Sequence, residues 1–211
     1  MTRLSGLVYG DAATAQVGKV AATTLSFWIL KIVVTTVGDL SGDLLSITLG
    51  LGYLVSLFVA LAFVLSLLTV QFRAVRFNPL VYWTLILGTS TLGAELSDTM
   101  DRALHLGYIV GALALLACLV AILAGWRVRR GRIGFYPIVE RQEELLYWMA
   151  VIFANSLGSV LGDLIGDRLG LGIIGGAAIN AGVIATLLLL HYATRANKAL
   201  LFWTAFVFTR A

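Results

Sequence analysis

The chain has 211 residues, of which 60% are hydrophobic and only 12% charged, and its mean hydropathy is +0.96. Soluble domains run nearer half apolar and a quarter charged, so this composition excludes an ordinary water-soluble globule. The net charge of +4 reflects basic residues clustered between apolar segments, as membrane topology requires, so nucleic acid is not an expected partner.

Residues 1–19 have no continuous apolar core after Arg3 and are expected to form a short cytoplasmic tail, not a cleaved signal. The first apolar segment, FWILKIVVTTVGDLSGDLL at 27–45, carries a lysine, two threonines and two aspartates. Residues 44–72, 103–126 and 169–194 then contain no Asp, Glu, Lys or Arg, and each exceeds the roughly 20 residues that span hydrocarbon. Glycine is abundant at 22 and proline scarce at 2, which favours packed helices over a barrel of short strands. The single cysteine, Cys118, leaves neither a disulfide framework nor a thiolate metal site.

Tryptophan sets an internal register. Phe27-Trp28, Tyr82-Trp83, Tyr147-Trp148 and Phe202-Trp203 are spaced by 55, 65 and 55 residues. Ten residues beyond each of the first three tryptophans stands a glycine: Gly38, Gly93 and Gly158. Fifteen beyond stands an aspartate: Asp43, Asp98 and Asp163. Twenty-four beyond is glycine again (Gly52, Gly107, Gly172), and 28 beyond is Ser56, Gly111 or Gly176. Such coincidences mark a repeated unit.

Each unit reads as a two-helix hairpin whose second helix opens on a small-xxx-small pattern, a face that lets a neighbouring helix approach. Gly38, Gly93, Gly158, Gly52, Gly107, Gly111, Gly172 and Gly176 are the expected packing positions. Arg73 and Arg76, then Arg127, Arg129, Arg130, Arg132 and Arg141, then Arg195 and Lys198 fall between hairpins. The positive-inside rule places those loops and the N-terminus in the cytoplasm, with the aromatic pairs at that interface and the repeats parallel. The expectation is an all-α polytopic bundle of parallel hairpins with six complete transmembrane helices and a partial seventh. Residues 20–125 form its first half, 126–142 a basic connector and 143–211 its second half. A polybasic lipid-binding patch is a weaker reading of the connector.

In this register the sequence resembles an uncharacterised bacterial family of membrane-anchored proteins built from four tandem copies of a repeat of unknown function. The residues that carry the resemblance are Phe27-Trp28, Lys31, Thr35-Thr36, Gly38-Asp39, Asp43 and Leu51-Gly52-Tyr53 in the first copy. The second supplies Tyr82-Trp83, Thr91, Gly93, Asp98 and Leu106-Gly107-Tyr108. The third supplies Tyr147-Trp148, Gly158, Gly162-Asp163 and Leu171-Gly172, and the fourth Phe202-Trp203 and Thr209-Arg210. Asp39 stands where the family usually has Glu, and Ala21 where proline is expected. The resemblance implies eight helices in an intact chain, a bacterial inner-membrane location and no known activity. A helix over 199–211 would cover about 20 Å of a hydrocarbon core of about 30 Å, so two expectations stand: the chain is truncated in its fourth copy, or a second copy or a membrane partner completes that region.

The costly residues are the candidate site. Asp39/Asp43 and Asp163/Asp167 are i,i+4 pairs and Glu95/Asp98 an i,i+3 pair, so the members of each share a helix face. Asp39 and Glu95 fall about 16–18 Å from the tryptophan level, where a charge costs about 2.5–3.5 kcal/mol and usually faces the bundle interior. Thr35, Thr36, Thr91 and Asn155 extend the stripe, whose oxygen chemistry suits protons or hard cations. Lys31 and Arg210 are candidate counter-ions, although Lys31 is expected to snorkel to the cytoplasmic interface. The fifteenth-position aspartates have a plainer reading as wet or helix-capping residues. His105 and His191 lie near opposite ends of spans and cannot share a metal. No nucleophile–base set or phosphate loop points to an enzyme, and no cofactor is expected. Two functions remain: a small transporter or channel for protons or hard cations, and a non-enzymatic membrane scaffold or subunit.

Overall fold

The computed structural model describes residues 18–168, 170, 172–194 and 197–210. Among them are seven α-helices and no strand: α1 Leu25–Asp43, α2 Tyr53–Arg73, α3 Pro79–Asp98, α4 Tyr108–Arg130, α5 Arg141–Asp163, α6 Gly172–Ala193 and α7 Lys198–Phe208. Starts follow local chemistry. Asn78 accepts from the amides of Leu80 and Val81, with Pro79 in the first turn where its missing N–H costs nothing. Thr24 accepts from Phe27, and Asn197 from Ala199. Gly131, at φ 70°, closes α4.

The repeat is visible in the backbone. Sixteen residues beyond each of the first three tryptophans the α-helix widens into a π turn, Leu44–Thr48, Thr99–Ala103 and Leu164–Arg168. Two left-handed residues follow at fixed places: Gly50, His105 and Gly170 at the twenty-second position, then Gly52, Gly107 and Gly172 at the twenty-fourth. A Cβ built on any of Gly52, Gly107 or Gly172 meets nothing within 4 Å. These glycines therefore differ from the expected packing role; what they supply is φ between 61° and 80° at the entry to the second helix. His105 holds φ 53° with a side chain attached, so His105→Gly is expected to raise stability by up to about 1 kcal/mol, read by thermal unfolding in detergent.

The first helices of successive units, α1, α3, α5 and α7, pack side by side in that order. Ring contacts of Phe27 and Trp28 with Phe202 bring α7 back to α1 and close the set. The first two second helices lie chiefly on the first helix of the following unit, α2 on α3 and α4 on α5, while α6 lies equally on α7 and on the π turn of its own unit. The expected hairpin partners make little direct contact with one another. The stripes agree with this. On α1, Phe27, Lys31, Thr35, Gly38 and Gly42 are buried, and on α2 Ser56, Ala60, Val64 and Gln71, spacings of three, four and seven that mark a single helix face.

Six of the eight paired aromatics are core residues, and Trp28 and Trp83 are partly buried against them. Tyr82, Tyr147, Trp148 and Trp203 are buried, and the Tyr82 and Tyr147 hydroxyls share a 2.6 Å hydrogen bond. Their rings meet across the neighbouring first helices, Tyr82 against Trp148 and Tyr147 against Trp203. Around this interior the polarity is reversed relative to a soluble protein. Ser56, Gln71, Thr89, Ser90 and Asn155 are buried, while Leu25, Ile29, Phe58, Leu113 and Leu189 are exposed.

Five helical segments are long and apolar enough to cross a membrane: Leu25–Thr48, Tyr53–Arg73, Tyr108–Arg130, Arg141–Gly166 and Ile174–Ala193. The expected count of six complete spans differs at α3. That helix is enclosed by α1, α2 and α5 and buries Thr89, Ser90, Thr91, Glu95 and Ser97. A helix surrounded by protein needs no lipophilic surface, and its polar content holds its hydropathy down. Helix α7, of 11 residues, is about 16 Å long.

Candidate functional site: a polar interior among the first helices

The seventh position after each tryptophan carries Thr35, Ser90, Asn155 and Arg210, and all four are buried. The ten-residue glycines bring their helices together here. A Cβ on Gly38 would lie 2.6 Å from Ser90 Cβ, one on Gly93 3.0 Å from the Ser156 amide, and one on Gly158 2.7 Å from the Val207 carbonyl. By contrast Gly111 and Gly176 meet only ordinary van der Waals contacts, at 3.4 and 3.8 Å.

With backbones this close, short side chains bridge helices. Ser90 Oγ donates to the Thr35 carbonyl at 2.9 Å and Thr91 Oγ1 to the Gly38 carbonyl at 2.9 Å. Asn155 Nδ2 donates to Thr89 Oγ1 at 3.0 Å. Farther along, Ser97 Oγ donates to Asp163 Oδ2 at 2.7 Å. Thr36 does not join them: it is exposed and bonds its own helix at Ile32.

Arg210 is the junction. Its guanidinium forks onto both carboxylate oxygens of Asp39. It also donates to Ser159 Oγ at 2.7 Å and to the Ser90 carbonyl at 3.4 Å. One side chain just past the end of α7 thus touches α1, α3 and α5. The candidate counter-ion at Arg210 is in place, on the deeper of the two aspartates of α1. The other, Asp43, is exposed.

Lys31 contradicts the snorkelling expectation. It is 0% exposed, lies 4.2 Å from the centre of the Phe206 ring, and donates to Thr209 Oγ1 at 2.9 Å. The cause is its place on the inward stripe of α1, between Phe27 and Thr35. From there the side chain meets α7 before it can reach an interface.

Glu95 lies between α1 and α3. It is 1% exposed, and neither carboxylate oxygen has a hydrogen-bond partner. A Cβ on Gly42 would stand 3.3 Å from its Oε1, so the carboxyl rests against the backbone of α1. The Ser46 hydroxyl beside it is committed to the Gly42 carbonyl at 3.0 Å. Asp98, one turn on, turns to Arg102 instead, at 2.9 Å. Other buried polar atoms without partners are Asn155 Oδ1, Arg210 Nε and Thr99 Oγ1.

At the basic end, Glu144 is fully buried. It accepts from Lys19 at 2.9 Å and from Gln71 Nε2 at 3.0 Å, and Gln71 also holds the Lys19 carbonyl. This cluster was not foreseen. The sequence offered only an acidic first turn on α5, and the pairing depends on where the segment before α1 folds. Among the described residues, no three His, Cys, Asp or Glu side chains form a group suited to a metal ion. The side chain of Asp167 and residues 1–17 of the expected tail lie outside the described set.

Two cavities lie on the flanks. One, of about 510 Å³, is apolar and lies between α4, α5 and α7. The other, of about 480 Å³, lies between α1, α6 and α7, and Thr209, His191 and Lys198 are among its lining residues. Neither is lined by Asp39, Glu95 or Arg210.

Helices apolar outside and polar within define a multi-pass α-helical membrane protein. A family model described as Repeat of Unknown Function (DUF347) matches residues 26–77, 81–132 and 146–197, and the chain belongs to that family. Each match begins two residues before a tryptophan, and the short remainder after the third agrees with a partial fourth copy. No curated protein and no solved structure matches the chain.

Proposed function

We propose that this protein moves protons or small hard cations across the membrane through the polar interior of its first helices, without catalysing a chemical reaction. The observation that carries this reading is Glu95, a buried carboxyl with no hydrogen-bond partner on either oxygen. An unpaired buried carboxylate costs several kcal/mol, so the group must hold a proton or meet a cation. Asp43 and Asp98 are the charged groups that act on it, and they lie toward the acidic end. Intramembrane carboxylates of this kind mark ion and proton pathways. The partnerless atoms of Asn155, Arg210 and Thr99 add places where water would bind along the same interior.

The test is ion uptake by proteoliposomes under an imposed membrane potential. Glu95→Gln is expected to lower uptake at least tenfold, with Asp101→Asn as a control that retains it. Equal uptake by the parent and Glu95→Gln would reject the reading.

A scaffold role is the second reading, and the Arg210–Asp39 fork favours it, since that contact ties α7 to three other helices. It requires a stoichiometric membrane partner, or a second copy of the chain, to copurify while no ion uptake is measured.

A further inference from the structure

We infer that Lys31 is a proton-exchange site, which makes the species moved along this interior the proton and not a metal cation. The inference rests on the transport reading and narrows it to one substrate class.

The geometry around the amine is the ground. An ammonium carries three N–H donors and no acceptor. Lys31 has one acceptor, Thr209 Oγ1, whose own hydrogen is directed to the Ala205 carbonyl at 2.8 Å. A second N–H can lie over the Phe206 ring. Among the described residues no further acceptor meets the amine. The residues at the same level of the other first helices are Ile86, Val151 and Phe206, all fully buried and apolar. The charged groups that act on Lys31 are Asp39 of its own helix and Arg210 of α7, and the Asp39 oxygens are both held by Arg210. About one turn farther along, helices α3 and α5 carry the neutral Thr89 and Asn155, bonded to each other.

This setting suits a neutral amine, with two N–H donors and one lone pair. The lone pair can take a proton from water reaching Thr209 through the cavity of about 480 Å³, where α6 contributes His191. The ammonium then gives that proton up to a chain of waters along the interior that ends on a carboxylate oxygen of Glu95, about 13 Å farther along the bundle by helix rise, and the amine is restored. Glu95, now a neutral acid, releases it toward the acidic end. One N–H forms and breaks, one O–H forms and breaks, and one proton is moved. A metal cation could not follow the same route. Lys31 once protonated, and Arg210 always, would repel it at a few ångströms.

Two measurements test this on the full chain. The protein has three lysines, Lys19, Lys31 and Lys198, so lysine side-chain ¹⁵N labelling gives three nitrogen resonances, and Lys31→Met assigns one of them. At neutral pH that one is expected to be a neutral amine; three ammonium resonances would overturn the inference whatever the flux. In proteoliposomes, proton uptake is expected without Na⁺ or Mg²⁺ uptake, and Lys31→Met is expected to lower it at least tenfold. Uptake of either metal ion, or proton uptake at the parent rate in both Lys31→Met and Lys31→Arg, would overturn the inference while leaving Glu95-dependent transport standing. Uptake insensitive to Glu95→Gln would instead remove the transport reading, and the inference with it.

Discussion

Replacing Arg210 with methionine is expected to cost about 3–5 kcal/mol of stability, because it leaves the Asp39 carboxylate without its partner inside the bundle. The residue also supplies the contacts to Ser159 and Ser90 that join α7 to α5 and α3. Asp39→Leu alone should be nearly as damaging, since it strands a buried guanidinium. The double replacement is expected to recover most of the loss, because apolar residues of similar volume often substitute for a buried ion pair at little cost. Denaturant titration of all four proteins in detergent gives the double-mutant cycle. Additive losses would mean that the two groups are not coupled. Because about a third of the Asp39 side chain is exposed to solvent, the coupling is expected at the low end of that range.

The second large effect is steric. Gly93→Val is expected to cost about 3 kcal/mol or more, since its Cβ would press on the Ser156 amide and Cα and the Asn155 carbonyl carbon at 3.0–3.1 Å. Backbone cannot rotate away as a side-chain tip can. The separation of α3 from α5 would grow, and with it the Asn155–Thr89 bond should be lost. Gly125→Ala is the contrasting case. Gly125 lies within α4 with nothing within 4 Å of an added Cβ, so alanine is expected to stabilise by about 0.5–1 kcal/mol through helix propensity alone. Thermal unfolding in detergent distinguishes the two. Equal effects would show that α3 and α5 are not in backbone contact.

The tryptophan register was legible because identical residues recur at identical spacings, and the family matches begin in that same register. Membrane character was legible from composition for the same kind of reason: it is a sum over many residues. The partners of single side chains were not. Glu95 and Asp98 share a helix face by spacing, yet one rests against Gly42 and the other reaches Arg102. The π turn between Asp98 and the following loop changes the direction of that face, and no residue pattern announced it. Lys31 looked free to snorkel because a helix seen alone has only two ends for a cation to seek. The residues that hold it, Phe206 and Thr209, stand 175 and 178 positions later in the chain. The two sets of glycines were indistinguishable by type. Those ten residues past each tryptophan admit a neighbouring helix, and those 24 past it hold a left-handed backbone; only φ separates the two uses. Helix α3 was counted as a complete span, and its enclosure by α1, α2 and α5 was not legible for a related reason, since the hydropathy of one segment says nothing of whether lipid or protein surrounds it.

What every functional statement depends on is the burial of two groups among the first helices, the Arg210–Asp39 pair and the carboxyl of Glu95. A density map of the protein in lipid nanodiscs tests it most directly. The expected map has the Arg210 side chain forked on Asp39 at the meeting of α1, α3, α5 and α7, with Glu95 seated against Gly42. A map in which Glu95 projects into the lipid belt, or in which α7 stands apart from α1, would contradict it.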